Sequence, residues 1–188
     1  AGRVAEAGTH RELLDADVIA EVEQTAQCLT ENMRAHSADG IHDLCLRLGD
    51  LSREEIAARV ASPELVEQID RLVRARRLLE LRIAGERRLI AAEDAARYRD
   101  ALGAPLPPGL PASLLEPVPD ALGDLVSRFA RTHAPFTSAQ VATRLGLVES
   151  AITAPLAQLE SRGRVLHGEF TPGLGEREWC DAGVLRQL

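Results

Sequence analysis

Apolar residues change period several times along this chain, and each change marks an element. From Asp17, Val18, Val22, Thr25/Ala26 and Leu29 recur at helical spacing through DVIAEVEQTAQCLTENMRAH, predicting an amphipathic helix. Its other face carries Glu21, Glu23 and Glu31, a solvated face or a docking face. Upstream, Thr9 with Glu12 reads as a capping box for THRELLD. SADG at 37–40 breaks the pattern, and Ile41–Leu48 reads as a short helix closed by Gly49. Ser52 with Glu55 predicts a capped start for REEIAARV, and Ser62-Pro63 another for PELVEQIDRLVRARR. LLELRIAGERRLIAA then switches to period two about Gly85, a hairpin. Glu93-Asp94 opens a helix that ends at Gly103.

Residues 103–120 hold six of the ten prolines, so regular structure is not expected there. Leu106, Leu110, Leu114, Leu115 and Val118 are interspersed among them, which favours a strap packed across the protein over a free linker. ALGDLVSRFARTHA follows as a helix with Leu122, Leu125, Val126 and Phe129 inward. Thr137 caps SAQVATRLG, Gly146 makes a turn, Leu147 plugs the core, and VESAITAPLAQLESRG is the next helix. VLHGEF and REWC flank the loop TPGLGE as strands, and Asp181 starts a closing helix.

The order helix, turn, helix, hairpin, Asp-started helix therefore occurs twice. Leu51-Ser52 matches Phe136-Thr137, and Ile56–Arg59 matches Val141–Arg144, at an offset of 85. Leu72 matches Leu159, Leu78-Leu79 matches Val165-Leu166, and Glu93–Ala95 matches Cys180–Ala182, at an offset of 87. The expected fold is mainly α with small β-hairpins, an α+β tandem of winged-helix modules. The division read from the pattern is a helical segment at 1–36, a first module at 37–102, the strap at 103–120 and a second module at 121–188.

Charge and composition narrow the partners. The net charge is −7, against a dedicated duplex reader, which carries a basic footprint. It is unevenly spread. Residues 1–62 hold 12 acids against 6 arginines, net −6; residues 63–102 hold 8 against 9, net +1; residues 103–188 hold 9 against 7, net −2. Any nucleic-acid contact is expected in the middle segment. Cys28, Cys45 and Cys180 are widely spaced with no CxxC, which reads as reduced thiols of a cytoplasmic protein. No apolar run is long enough for a bilayer, so no membrane partner is expected. The chain begins at Ala1 and its one Met is Met33, so it is expected to be a piece of a longer protein.

No catalytic constellation is legible: there is no GxxxxGK[ST] loop and no GxSxG, and the five His show no metal-ligand spacing. His42 and Cys45 sit one helical turn apart, a structural pair. No catalytic residue, metal or cofactor is assigned to this chain. The helix that enters the major groove in a helix-turn-helix unit is poorly basic in the second module, and Pro155 is expected to kink or delay it. The first module is richer, with Arg71, Arg74, Arg76 and Arg77, then Arg82, Arg87 and Arg88 on the hairpin. Arg74, Arg76, Arg77, Arg87 and Arg88 are the candidates for phosphate contact, with Arg164, His167 and Arg177 on the second wing behind them.

The strings EPVPD, RTHAPFT and GEFTPG with EWCDAGVLR, together with RIAGERRLIAAEDAARYRDALGAPLPPGLP, resemble the large helicase-related (Lhr) family of bacterial DNA helicases over about residues 70–188. The resemblance implies a parent that uses ATP and Mg to move on single-stranded DNA and works in DNA repair, in the cytoplasm with the nucleoid. It places this chain in a non-catalytic C-terminal winged-helix array. DNA backbone, the rest of the parent and a second copy of the chain are the implied partners. A free-standing interaction subunit of the condensin-accessory kind and a winged-helix transcription regulator are the alternatives.

Overall fold

Ser52 and Thr137 open the two helix-turn-helix units in the same way. Each side-chain oxygen accepts the backbone N–H three residues on, and the side chain there, Glu55 or Gln140, accepts the N–H of its cap. In the computed structural model, which describes residues 14–188, these boxes start α3 (Arg53–Ala57) and α7 (Ser138–Leu145). The Thr9–Glu12 box lies outside the described residues. The first unit runs α2 (Ala38–Leu48), α3, a 3-10 turn at Pro63–Glu67, α4 (Gln68–Arg74), then strands β1 (Leu78–Ile83) and β2 (Glu86–Ala91). Before it stands α1 (Ala16–Ala26), and after it α5 (Ala95–Leu102). The second unit runs α6 (Ala121–Thr132), α7, α8 (Ser150–Ser161), β3 (Val165–Gly168), β4 (Glu178–Asp181) and α9 (Ala182–Leu185).

The backbone confirms the repeat by a contact that the sequence pattern does not display. The residue before each capping box adds a one-residue third strand to its hairpin. Leu51 and Leu89 exchange N–H···O bonds of 3.0 and 2.7 Å, and Phe136 and Trp179 exchange bonds of 2.9 and 2.7 Å. The strand registers also correct the repeat. Leu78 faces Ala91 and Val165 faces Asp181, so Asp181 is equivalent to Ala91 rather than to Asp94. The offset of 87 ends at the first strand, because the second wing has a longer loop than the Ala84-Gly85 turn.

Three element boundaries differ from the sequence pattern. The first amphipathic helix stops at Ala26, where Cys28 takes a left-handed φ of 56° and turns into the core of the first unit. SADG is not a break: Ser37 accepts the N–H of Gly40 and α2 begins at Ala38. Pro155 does not stop α8, since Ile152, Leu156 and Leu159 anchor the helix into the core on both sides of it.

The first hairpin sends apolar side chains to both faces. Leu78, Leu89 and Ala91 join the core of the first unit with Ile41, Ile56 and Ile69. Leu79, Leu81, Ile83 and Ile90 join the core of the second with Val126, Phe136 and Ile152. The wing of the first unit is thus the wall shared by both. At its tip the chain comes so near the α7–α8 turn that a Cβ on Gly146 would lie 2.8 Å from the Ala84 Cα. Leu106, Leu110 and Leu114 of the Pro-rich segment lie against the second core, with Ala104 buried.

Gly49, after α2, sits where these layers meet. Its φ of 86° is left-handed, and a Cβ there would meet the Tyr98 hydroxyl oxygen at 2.7 Å. Gly49→Ala is expected to lose about 1–3 kcal/mol from strain alone, read as a lower melting temperature by circular dichroism. An unchanged melting curve would show that the junction tolerates displacement of Tyr98.

Candidate nucleic-acid interface

Arg88 is where the expected site first departs from the structure. It points from β2 into the junction between the units, with its side chain 5% exposed. Its Nη1 donates to Asp50 Oδ2 at 2.8 Å and to the Arg144 carbonyl at 2.6 Å, while Nε and Nη2 donate to Glu86. Asp50 is equally buried and accepts the Tyr98 hydroxyl proton at 2.8 Å. Burial first and then the Asp50 charge push the Tyr98 phenol well above its usual value, which keeps that proton in place. Arg144, from the second unit, forks onto Glu55 at 2.6 and 2.9 Å and donates to the Asp50 carbonyl. Arg88 is therefore a buried tie between the units, with four of its five N–H donors committed inside the protein and its side chain out of a phosphate's reach.

Glu55 belongs to both the capping box and this junction. Burial pushes its carboxyl up, but the hydrogen bonds from Arg144 and Ser52 outweigh burial, and its pKa lies below the usual carboxylate value. The stability this adds is fully present above the unfolded value of about 4.3. It is lost as the pH falls through the lower folded value. A second tie runs through α1. Glu23 accepts the Ala134 N–H, and Gln27 donates to the Thr132 carbonyl at 2.5 Å while accepting from Arg59 at 2.7 and 2.9 Å. Arg59 and Arg144 hold equivalent places in the two units, and each anchors a neighbouring element. The sequence shows the match but not the role.

The other candidate arginines of the first unit lie outside the junction. Arg77 pairs with Asp39 at 2.5 Å, and Arg76 donates to the Pro108 carbonyl at 3.0 Å. Arg74, near the end of α4, is exposed and has no carboxylate within ion-pair distance among the described residues. Arg87 is 78% exposed and only 3.9 Å from Glu80, which Arg53 also approaches at 3.5 Å. Arg82 stands directly opposite Arg87 in the strand register. Like charges so placed repel. This face is solvated because alternate residues of the hairpin's outer half, Glu80, Arg82 and Arg87, lie beyond the first core.

The second wing is built by the EWCD string. The Glu178 carboxylate, buried at the base of β4, accepts the N–H groups of Phe170 (3.2 Å) and Thr171 (2.8 Å) and the Thr171 hydroxyl (2.9 Å). Trp179 donates its indole N–H to Ser138 at 3.0 Å and stacks on His167 with ring centroids 4.0 Å apart. Asp181 caps α9 through the N–H groups of Gly183 and Val184. Burial, and then the charge of Arg177, push the His167 imidazole below its usual value. It is a neutral packing group near pH 7 rather than a cationic phosphate contact. Arg164 and Arg177 are exposed. The outward face of α8 shows Ser150, Thr153, Gln158 and Glu160, polar and not basic.

His42 is buried and holds Glu93 at 2.8 Å, while burial pushes the Cys45 thiol up to about 12, so both serve packing. Among the described residues no three His, Cys, Asp or Glu side chains converge as metal ligands, and no helix is long and apolar enough to cross a membrane.

Two helix-turn-helix units, each closed by a hairpin to which a single residue adds a third strand, define a tandem winged-helix protein. The family described as "Large helicase-related protein, winged-helix domain" matches residues 12–117, and the chain belongs to it. Over 178 residues, 95% of its length, the chain is 40% identical to the "Lhr helicase/probable uracil glycosylase" of Mycolicibacterium smegmatis. Over 179 residues, 94% of its length, it is 36% identical to the "Lhr helicase/uracil glycosylase" of Escherichia coli. It spans only 12% and 11% of those two proteins.

Arg88→Ala leaves Asp50 buried beside a cavity, and its expected effect is a loss of about 3–5 kcal/mol in urea unfolding. Arg88→Met, which fills the volume but keeps no charge, should recover little unless Asp50→Leu accompanies it. If Arg88→Ala is as stable as the wild type, Arg88 does not tie the units together.

Proposed function

We propose that this chain is a non-catalytic pair of winged-helix units inside an ATP-dependent DNA helicase of the large helicase-related family, acting in DNA repair in the bacterial cytoplasm. Its part there is to hold the DNA backbone without reading sequence. ATP and Mg would be bound elsewhere in such a parent.

The opposed Arg82 and Arg87 carry this reading. A like-charge pair on an exposed strand end, with the single carboxylate Glu80 shared by Arg53 and Arg87, is stabilised by a phosphate between the guanidinium groups. Arg74 extends the positive face along α4, and Arg76 and Arg77 stand close behind it in the sequence. A transcription regulator fits less well, because the outward face of α8 is polar and acidic where base-reading side chains would stand. The names of the two relatives point to helicases that also carry glycosylase activity, which agrees with a role on damaged DNA.

The test is titration of labelled single-stranded and duplex DNA at low salt. The triple variant Arg74→Ala/Arg82→Ala/Arg87→Ala is expected to bind roughly tenfold more weakly, and its slope of log K against log salt should fall by about 2–3. Identical isotherms for variant and wild type would sink the reading.

A further inference from the structure

We infer that α1 is a pH-operated latch: it stays fastened to the second unit while the His133 imidazole is neutral, and protonation of that ring releases it. The latch does not depend on any contact with DNA.

Polar ties rather than burial hold α1 in place. None of its side chains is buried, and Val18, Ile19 and Val22 are only half-buried. A groove of about 780 Å3 lies open between it and α7, lined by Ile19, Ala20 and Glu23 on one side and Pro135, Ala139 and Thr143 on the other. What fastens the helix is its last turn, where Glu23 and Gln27 reach Thr132–Ala134 at the end of α6. Just beyond, Cys28 is buried in the core of the first unit, so α1 can swing about that point and leave the core intact.

The hydrogen-bond directions make this fastening sensitive to one proton. Gln27 Oε1 accepts from Arg59 Nη2 at 2.9 Å, which fixes the amide with its NH2 group toward the end of α6. That NH2 donates to the Thr132 carbonyl and stands 3.4 Å from His133 Nε2. Across the ring, Nδ1 lies 2.8 Å from the Phe129 carbonyl, which can only accept. The neutral ring therefore carries its proton on Nδ1 and offers the Nε2 lone pair to Gln27. Once protonated, Nε2 becomes a donor facing a donor. The amide cannot turn over in response without losing its bond to Arg59.

The surrounding charges add to the effect. Arg59, at the end of α3, donates to the Gln27 and Glu55 carbonyls and to the Gln27 amide oxygen, all uncharged, so no carboxylate offsets it there. Arg144 of α7 is forked onto Glu55 of α3. Asp50, Tyr98 and Arg128 line the small cavity that His133 also lines, but Asp50 is held by Arg88 and the Tyr98 hydroxyl, and Arg128 by Asp94. Glu23 of α1 favours the cation, yet it already accepts the Ala134 N–H. Burial pushes the His133 imidazole below its usual value; Arg144 and Arg59 act in the same sense, and Glu23 and the Phe129 carbonyl against it. Docking therefore favours the neutral ring. Its contribution is fully present above the usual imidazole value of about 6.5 and is lost as the pH falls from there toward the lower docked value.

Amide hydrogen exchange across α1 tests this in the 188-residue chain, with rates corrected for the intrinsic effect of pH and α8 as the internal reference. Between about pH 7.5 and 5.5, protection of α1 relative to α8 should fall several-fold, with a ceiling of about tenfold set by the usual imidazole value. His133→Phe can keep the ring stacked on Phe129 but takes no proton, so its α1 protection should be equal at both pH values. Gln27→Glu places a carboxylate opposite Nε2 and should reverse the sign, with α1 better protected at the lower pH. No fall in the wild type, an equal fall in His133→Phe, or an unreversed fall in Gln27→Glu would each overturn the proposal. Should His133→Phe fold poorly, the sign in Gln27→Glu decides alone.

Discussion

The structure depends on a buried charge that belongs to neither winged unit alone. Asp50 lies at the end of the first unit's opening helix, and burying its carboxylate costs several kcal/mol unless partners surround it. Those partners come from three places: Arg88 on the first hairpin, Tyr98 on α5 and Arg144 on the second unit. Removing Arg88 takes away the cation nearest to that carboxylate, 2.8 Å from Asp50 Oδ2 against 3.3 Å for Arg144. The units are therefore tied through shared buried side chains, and Gly49 is required so that Tyr98 can approach.

That constraint decides what each hairpin can do. A wing that contacts DNA needs a free face. The first hairpin has lost one face to the second unit and half of the other to its own core, which leaves the Glu80–Arg82–Arg87 end in solvent. The second hairpin is held at its base by Glu178 and keeps its outer face open.

Much of the fold was legible because it is local. Capping boxes at Ser52 and Thr137, the αL glycine at Gly146, the turn at Gly85 and the period changes each act within a few residues. The order of elements and the repeat followed from them. The EWCD string was legible as a label of ancestry, and the structure shows its physical content: Glu178 organises the loop, Trp179 the third strand and Asp181 the last helix. A sequence signal for the buried hairpin was also present in the adjacent leucines Leu78-Leu79 and the unbroken apolar run Leu89–Ala92, the mark of strand ends covered on both faces.

The sequence alone determined the two helix-turn-helix units, their order and the family, because backbone propensity and apolar period are set by neighbours in the chain. Only the tertiary structure decided which arginines face water. Arg87 and Arg88 are adjacent on one strand, and alternation sends one to solvent and the other to Asp50, 38 residues away. Composition cannot separate them. Whether a charge is free or buried depends on which distant surface the strand meets, and that is settled only when the second unit closes over the first.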